Sequence, residues 1–289
     1  MTEPFALTPP SDIRIDRCRH GLFASIQGDS HIGASLAHYG EWSEGEIELL
    51  SQILRPGDVV VDAGANIGAH AVPFARKVGP QGRVFAFEPQ PKVFQVLNAN
   101  AFINGLGQIV PLNAGLGAKH DFASFPDAAP VAGRNFGGVQ LAPFIEGSSE
   151  APRQVRVPVG PLDEMLTLDR LRLIKADVEH MELDLIEGAA ETIRKHQPVI
   201  FLENGNPDET DALTGAMAPF NYRGYWQAGL IFRKENFRGN AENHFGTQGC
   251  ANILFVPEHF KVDRMTPVDG PDSHPFAAAH KARKEAQKG

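Results

Sequence analysis

Three observations in the sequence predict an α/β protein built on an open, mostly parallel sheet. Short apolar runs alternate with longer stretches of helical spacing, the rhythm of βαβ units. The first such run, Val59-Val60-Val61, is β-branched and apolar at successive positions, as a strand covered on both faces must be. Polar residues, most of them acids, follow the runs: Asp62, Glu88, Asn113, Asp177, Glu179 and Glu203. Open parallel sheets bind ligands beyond the carboxyl ends of their strands. Acids gathered on one rim are costly unless they meet cations or hydroxyls, so the regularity itself predicts a site.

In chain order, residues 1–12 are rich in proline and threonine and read as frayed. Leu22-x-Ala24-x-Ile26 alternates, Gln27 to Ser30 signals a turn, and Ile32 to Leu36 resumes, which predicts an N-terminal β-hairpin. Ser43 stands where it would cap a helix over Glu44–Leu54, with Glu46 completing a capping box. Tyr39, Glu41 and Trp42 lie just upstream, placed to cover a ligand. After the Val59 strand, Gly64 and Gly68 turn the chain into a helix over Ala69–Lys77. Arg83–Phe87 is the second strand, Val93–Ile103 a helix ended by Asn104-Gly105, and Gln108–Leu112 the third strand.

Residues 114–160 break this rhythm and read as an excursion of loops and short strands over the ligand edge of the sheet, with Arg134 to Val139 inside it. Arg172–Ala176 and Pro198–Leu202 are the fourth and fifth strands, with a helix over Glu182–Lys195 between them. A helix from about Pro207 to Ala218 follows. Tyr222–Ile231 and Ala251–Val256 form a final antiparallel pair at the sheet edge, and the tail from Pro267 reads as disordered. The chain thus divides into an extension with its hairpin (1–38), the main domain (39–260) and a tail (261–289).

The strand-to-helix loop discriminates between ligands. A dinucleotide fingerprint, G-x-G-x-x-G, sets a pyrophosphate on a helix N-terminus. Here the spacing is Asp62-x-Gly64-x-Asn66-x-Gly68, with Asn66 in place of the middle glycine and an acid at the strand end. Asp62 repels an anion and suits an ammonium or sulfonium, both of which S-adenosylmethionine carries. Glu88, 20 residues past Gly68, stands where a Rossmann-like sheet keeps the acid that accepts from ribose hydroxyls. Asn113 lies where an adenine edge sits. A nicotinamide-dependent oxidoreductase on a similar sheet is the rival disfavoured by the missing glycine, and a non-catalytic adenosyl-ligand binder is the other.

Composition bounds the partners. The 289 residues suit one large α/β domain with appendages. The net charge of −8 argues against a nucleic-acid substrate. Two distant cysteines, Cys18 and Cys250, read as reduced thiols. No apolar run approaches a membrane span, and the reading is a cytoplasmic protein without a membrane partner, with a homo-oligomer left open.

V-V-D-A-G-A-N-I-G-A-H (60–70), V-F-A-F-E-P-Q-P (84–91), L-N-A-N-A-F-I-N-G-L (97–106), N-F-G-G (135–138) and I-K-A-D-V-E-H-M-E-L-D-L-I-E-G-A (174–189) together resemble the FkbM family of S-adenosylmethionine-dependent methyltransferases. The resemblance covers roughly Tyr39 to Pro257. It implies a Rossmann-like seven-stranded, mostly parallel sheet with an antiparallel last strand, and methylation of a hydroxyl on a small molecule such as a sugar or polyketide. Carried over by position, Asp62, Gly64, Ala65, Asn66 and Gly68 form the S-adenosyl-L-methionine loop, and Glu88 with Pro89 holds the ribose. Glu41 and Asn113 complete the cofactor set. Asp177 and Glu179 match the acids of the family's D-V-E-G segment and are the favoured catalytic base, ahead of His180, Glu203 and His244. His180 stands where the family usually has glycine. No metal is assigned.

Overall fold

The computed structural model describes residues 13–126, 135, 142–143 and 154–286. A hairpin of β1 (Ile13–Cys18) and β2 (Gly21–Ile26) leads into α1 (Ile32–Tyr39) and α2 (Glu44–Ile53). β3 (Val59–Ala63), α3 (Ala71–Val78), β4 (Arg83–Phe87), α4 (Pro91–Ile103) and β5 (Ile109–Leu112) form the first parallel unit. The excursion contributes β6 (Gly115–Leu116), β7 (Asp121–Pro126), β8 (Ala142–Pro143) and β9 (Gln154–Gly160). Next come α5 (Leu162–Met165), β10 (Leu173–Ala176), α6 (Glu182–Gly188), α7 (Ala190–His196) and β11 (Val199–Glu203). α8 (Thr210–Met217), β12 (Tyr222–Leu230), β13 (Gly249–Pro257), β14 (Thr266–Pro267) and α9 (Ala277–Ala286) complete the described chain.

The main sheet runs β14-β12-β13-β11-β10-β3-β4-β5. β11, β10, β3, β4 and β5 are parallel, and β13 is antiparallel to both its neighbours. These are the seven expected strands plus the two-residue β14. β13 is not at the edge: it enters between β11 and β12, and its burial explains why Ala251–Val256 is apolar but for Asn252, whose side chain is hydrogen-bonded. β6, β9, β7 and β8 form a second sheet in that order, while Arg134 and Phe136 to Val139 lie outside the described residues.

Strand alternation sorts the core into two layers. Val60, Leu173, Phe201 and Leu254 face the layer shared with the hairpin, α3 and α4. Val61, Ile174, Ile200 and Ile253 face the layer shared with α5 to α8. The strand order reverses between β10 and β3, the place where such sheets open a crevice for a ligand.

Four expectations are corrected. The hairpin pairs 13–18 with 21–26, so its turn lies at Arg19-His20 rather than at Gln27–Ser30. Ile32 to Tyr39 is helical, because Ile32, Leu36 and Tyr39 repeat at helical spacing and are buried together. Ser43 precedes α2 in the left-handed region, with φ of 43°, and its side chain makes no capping bond, while the Glu46 carboxylate binds His70 and Asn252 instead of closing the box. The tail from Pro267 is ordered as far as residue 286: β14 pairs with β12 and α9 follows. Its polar, charged composition hid partners that lie far away in sequence.

Candidate active site

The cavity at the sheet's reversal point has a volume of about 690 Å³, within the range of small-molecule sites. Its floor is the β3–α3 turn, where Gly64, Ala65 and Asn66 line it. Gly64 has φ of 73°, and a Cβ there would stand 1.8 Å from the Asp177 carbonyl oxygen, so only glycine lets the turn press against the end of β10. Asn66 holds φ of 50° and accepts from the Ile67 N–H at 2.8 Å through its own side chain. Asn100, wholly buried, donates to the carbonyls of Ile67 and Ala24 at 2.8 and 2.9 Å and so ties the loop to α4 and the hairpin.

Glu88 closes β4 and faces the cavity. Its two oxygens accept the Gln90 N–H at 2.7 Å and the Asn66 N–H at 2.9 Å, which fixes the carboxylate while leaving lone pairs free. Burial raises its pKa to about 7, against those two bonds. Pro89 lines the cavity beside it, whereas Asn113 donates to the Glu88 and Pro89 carbonyls at 2.8 and 3.0 Å and supports them from outside.

Lys175 is buried at 3% exposure in the middle of an apolar strand and lines the cavity. Its Nζ stands 3.5 Å from Asp177 and 3.7 Å from Asp62. Burial favours losing its proton, but Asp177 and Asp62 outweigh this and keep it an ammonium. The register explains the placement: Lys175 lies opposite Asp62 in the β10–β3 ladder, so both side chains project on one face. Asp62 is therefore no rim residue. It is fully buried under the loop, neither of its oxygens has a hydrogen-bond partner among the described residues, and burial raises its pKa.

At the ends of β10 and β11, one carboxylate oxygen each from Asp177, Glu179 and Glu203 lies within 4.8 Å of the others, a set that could hold a divalent cation. Their own titration also relieves the charge. The negative charge of Asp177, with burial, drives the Glu203 pKa far up, so Glu203 keeps its proton. Asp177 stays an anion: burial pushes its pKa upward, but Lys175 and the hydrogen bond from Glu203 outweigh burial. Glu179 is raised to about 7, mainly by burial and then by Asp177. Glu179 and His180 hold φ of 51° and 73°. The histidine thus adopts the left-handed backbone for which glycine is suited, and its Nδ1 lies 3.1 Å from Glu209 at the rim.

The remaining expected residues divide. Gly68, with φ of 87°, packs on Leu97, where a Cβ would meet Cδ1 at 2.8 Å; its role is fit, not ligand contact. Glu41 is buried, but away from the cavity. Its Oε2 accepts from Arg19 at 2.7 and 2.9 Å and from the Phe237 N–H at 2.8 Å. Trp42 lines the cavity. The sequence reading missed Glu46 and His70, two cavity residues bonded at 3.1 Å, with Glu46 also accepting from Asn252 at 3.1 Å. It also missed Lys175, although a lysine inside Leu173-Ile174-Lys175-Ala176 is itself the signal of a buried counter-charge.

A sheet of this order, with a reversed strand inserted beside β11 and an acid-lined cavity at the switch point, is a Rossmann-like arrangement. The FkbM methyltransferase domain matches residues 62–225, and the chain belongs to that family. Over 166 residues it is 30% identical to the hexuronic acid methyltransferase AglP of Haloferax volcanii, spanning 57% of this chain and 64% of the relative. Over 48 residues it is 56% identical to the 31-O-demethyl-FK506 methyltransferase FkbM of Streptomyces tacrolimicus, 17% of this chain and 18% of that protein. The solved FkbM methyltransferase of Methylobacillus flagellatus KT superposes with a TM-score of 0.43 at 18% identity, covering 73% of this chain and 50% of that one. The chain thus spans less than two thirds of the length of each. Among the described residues no helix is long and apolar enough to cross a membrane.

Proposed function

We propose that the protein transfers the methyl group of S-adenosylmethionine to a hydroxyl oxygen of a small molecule. The observation that carries this reading is the meeting, in one cavity, of a fixed carboxylate at the end of β4 and a raised-pKa carboxylate at the end of β10. Two relatives, a hexuronic acid methyltransferase and a 31-O-demethyl-FK506 methyltransferase, support a hydroxylated small-molecule acceptor.

The residues present suit the cofactor. Glu88 offers free acceptor lone pairs for ribose hydroxyls. The Gly64–Asn66 turn lets backbone approach closely, and the carboxyl groups of Glu88, Asp177 and Glu179 line the cavity, which favours a cationic sulfonium. When bound, the cofactor supplies a methyl group on a sulfonium, an electrophile that needs no further activation. The chain has to align the hydroxyl and accept its proton. With the cofactor bound, the Glu179 carboxylate in the cavity would take the proton of the acceptor hydroxyl. Of the two acids expected from the sequence, Glu179 is the better base. Its pKa of about 7 matches neutral pH, whereas Asp177 is held low beside Lys175. Asp177 then keeps Lys175 charged and Glu203 protonated.

Calorimetric titration with S-adenosylhomocysteine tests the reading. Micromolar binding, lost in Glu88→Ala, is the expected result; a folded protein that does not bind it refutes the cofactor assignment.

A further inference from the structure

The matched family domain ends at residue 225, yet the same cavity is walled by residues far beyond it. Phe276, Ala279, His280 and Arg283 all line it. They are spaced i, i+3, i+4 and i+7, one stripe that turns a single face of α9 to the cavity.

The segment leading to α9 is firmly anchored. β14 pairs with β12, and the Val268 N–H donates to the Gly224 carbonyl at 2.9 Å. Ser273 Oγ accepts from Trp226 Nε1 at 2.9 Å and from the Asp269 N–H at 2.8 Å, and donates to the Gly270 carbonyl at 2.7 Å. His274, only 3% exposed, accepts the Phe276 N–H on Nδ1 at 3.0 Å. Its Nε2 therefore carries the proton and donates to the Asn204 carbonyl at 2.8 Å, beside Glu203. Asp208 holds both His280 and Lys284. These bonds dock α9 over the end of β11.

The charges on the wall are unequal in their commitments. Lys284 and His280 face Asp208. Arg283 lines the cavity and has no ion pair among the described residues. The acids across the cavity are largely engaged: Glu46 with His70, Asp177 with Lys175, and Glu203 by its own proton. We propose that α9 is the acceptor-side wall and that Arg283 binds a carboxylate carried by the acceptor. A planar guanidinium is suited to that partner, which it grips through two parallel N–H donors. The inference rests on the methyl-transfer reading above and deepens it from a hydroxylated molecule to a hydroxylated acid.

The full chain, saturated with S-adenosylhomocysteine, is titrated by calorimetry with gluconate, quinate and glucuronate, each beside its neutral methyl ester. At least one acid is expected to bind at least tenfold more tightly than its ester. Arg283→Gln removes that preference, Arg283→Lys restores part of it, and neither changes S-adenosylhomocysteine affinity by more than about twofold, since a charge-assisted hydrogen bond typically contributes a tenfold effect or more. Acids and esters binding alike, no acid binding to the loaded protein, or a preference that survives in Arg283→Gln overturns the proposal. Failure of the protein to bind S-adenosylhomocysteine at all is a different result and strikes the cofactor reading instead.

Discussion

The two walls of the cavity are built in opposite ways. The wall around Gly64 and Glu88 comes from one stretch of chain, 62–90, whose parts bind each other: Asn66 to its own neighbour and to Glu88, and Gln90 to Glu88. The opposite wall gathers Trp42, Lys175, Glu179, Glu203, Cys250 and Arg283 from separate elements. Local turn chemistry shapes the first, and long-range packing assembles the second. The first should therefore respond to backbone changes, and the second to changes in charge compensation.

The largest expected effect tests the second wall. Lys175→Met leaves the buried Asp62 without its cation and should destabilise the protein by about 3–5 kcal/mol in urea unfolding, the usual cost of orphaning a buried charge. Lys175→Met with Asp62→Leu should recover much of the loss; a double variant no more stable than the single one would show that the pair is not what holds this region. Next, Gly64→Val tests the first wall. A β-branched residue at positive φ, with Cβ set against the Asp177 carbonyl, should lower stability by about 2–4 kcal/mol, from left-handed strain and overpacking together. Equal stability would mean that the close approach between the two walls relaxes freely.

Glu179 gives a third, smaller contrast. With a pKa of about 7, it is protonated and unable to accept a proton below that pH. The rate should therefore fall by about tenfold per pH unit as the pH drops below 7 and level off above it. Glu179→Gln should lose turnover while keeping S-adenosylhomocysteine affinity, and Asp177→Asn should shift the pH midpoint downward, because it removes a charge that raises the Glu179 pKa. A Glu179→Gln enzyme with the wild-type rate and pH profile would place the base elsewhere. The smallest effect belongs to Glu41→Gln, which weakens a partly exposed pair with Arg19. A loss of about 1 kcal/mol in stability with unchanged cofactor affinity is expected; a large loss of affinity would return Glu41 to the cavity.

The same contrast explains which parts of the protein were legible beforehand. Val59–Val61, Arg83–Phe87 and Val199–Leu202 are strands because apolar runs of that length, bounded by turn residues, have few alternatives. Gly64 and Glu88 were found because a strand-end turn and a following strand-end acid are local patterns. Ile32–Leu36, part of the helix Ile32–Tyr39, reads as a strand because a short apolar run carries both periods until packing selects one. Glu41 and Asp62 have the composition of ligand contacts, but the partners that claim them, Arg19 with Phe237 and Lys175, lie 22 or more residues away. α9 was hidden for the same reason: alanines, lysines and arginines suit a solvated tail until His274 and Asp208 secure them.

What this sequence determined by itself was the alternation of strands and helices, the glycine turn at Gly64 and the acids that end the strands, because hydrophobic period, backbone freedom and strand-end position are properties of adjacent residues. Only the tertiary structure decided that Asp62 balances Lys175, that Glu203 keeps a proton so that Asp177 need not, and that α9 closes the cavity. Each of these is settled by desolvation and by charges brought together from distant parts of the chain, and neither exists until the fold removes water and fixes the distances.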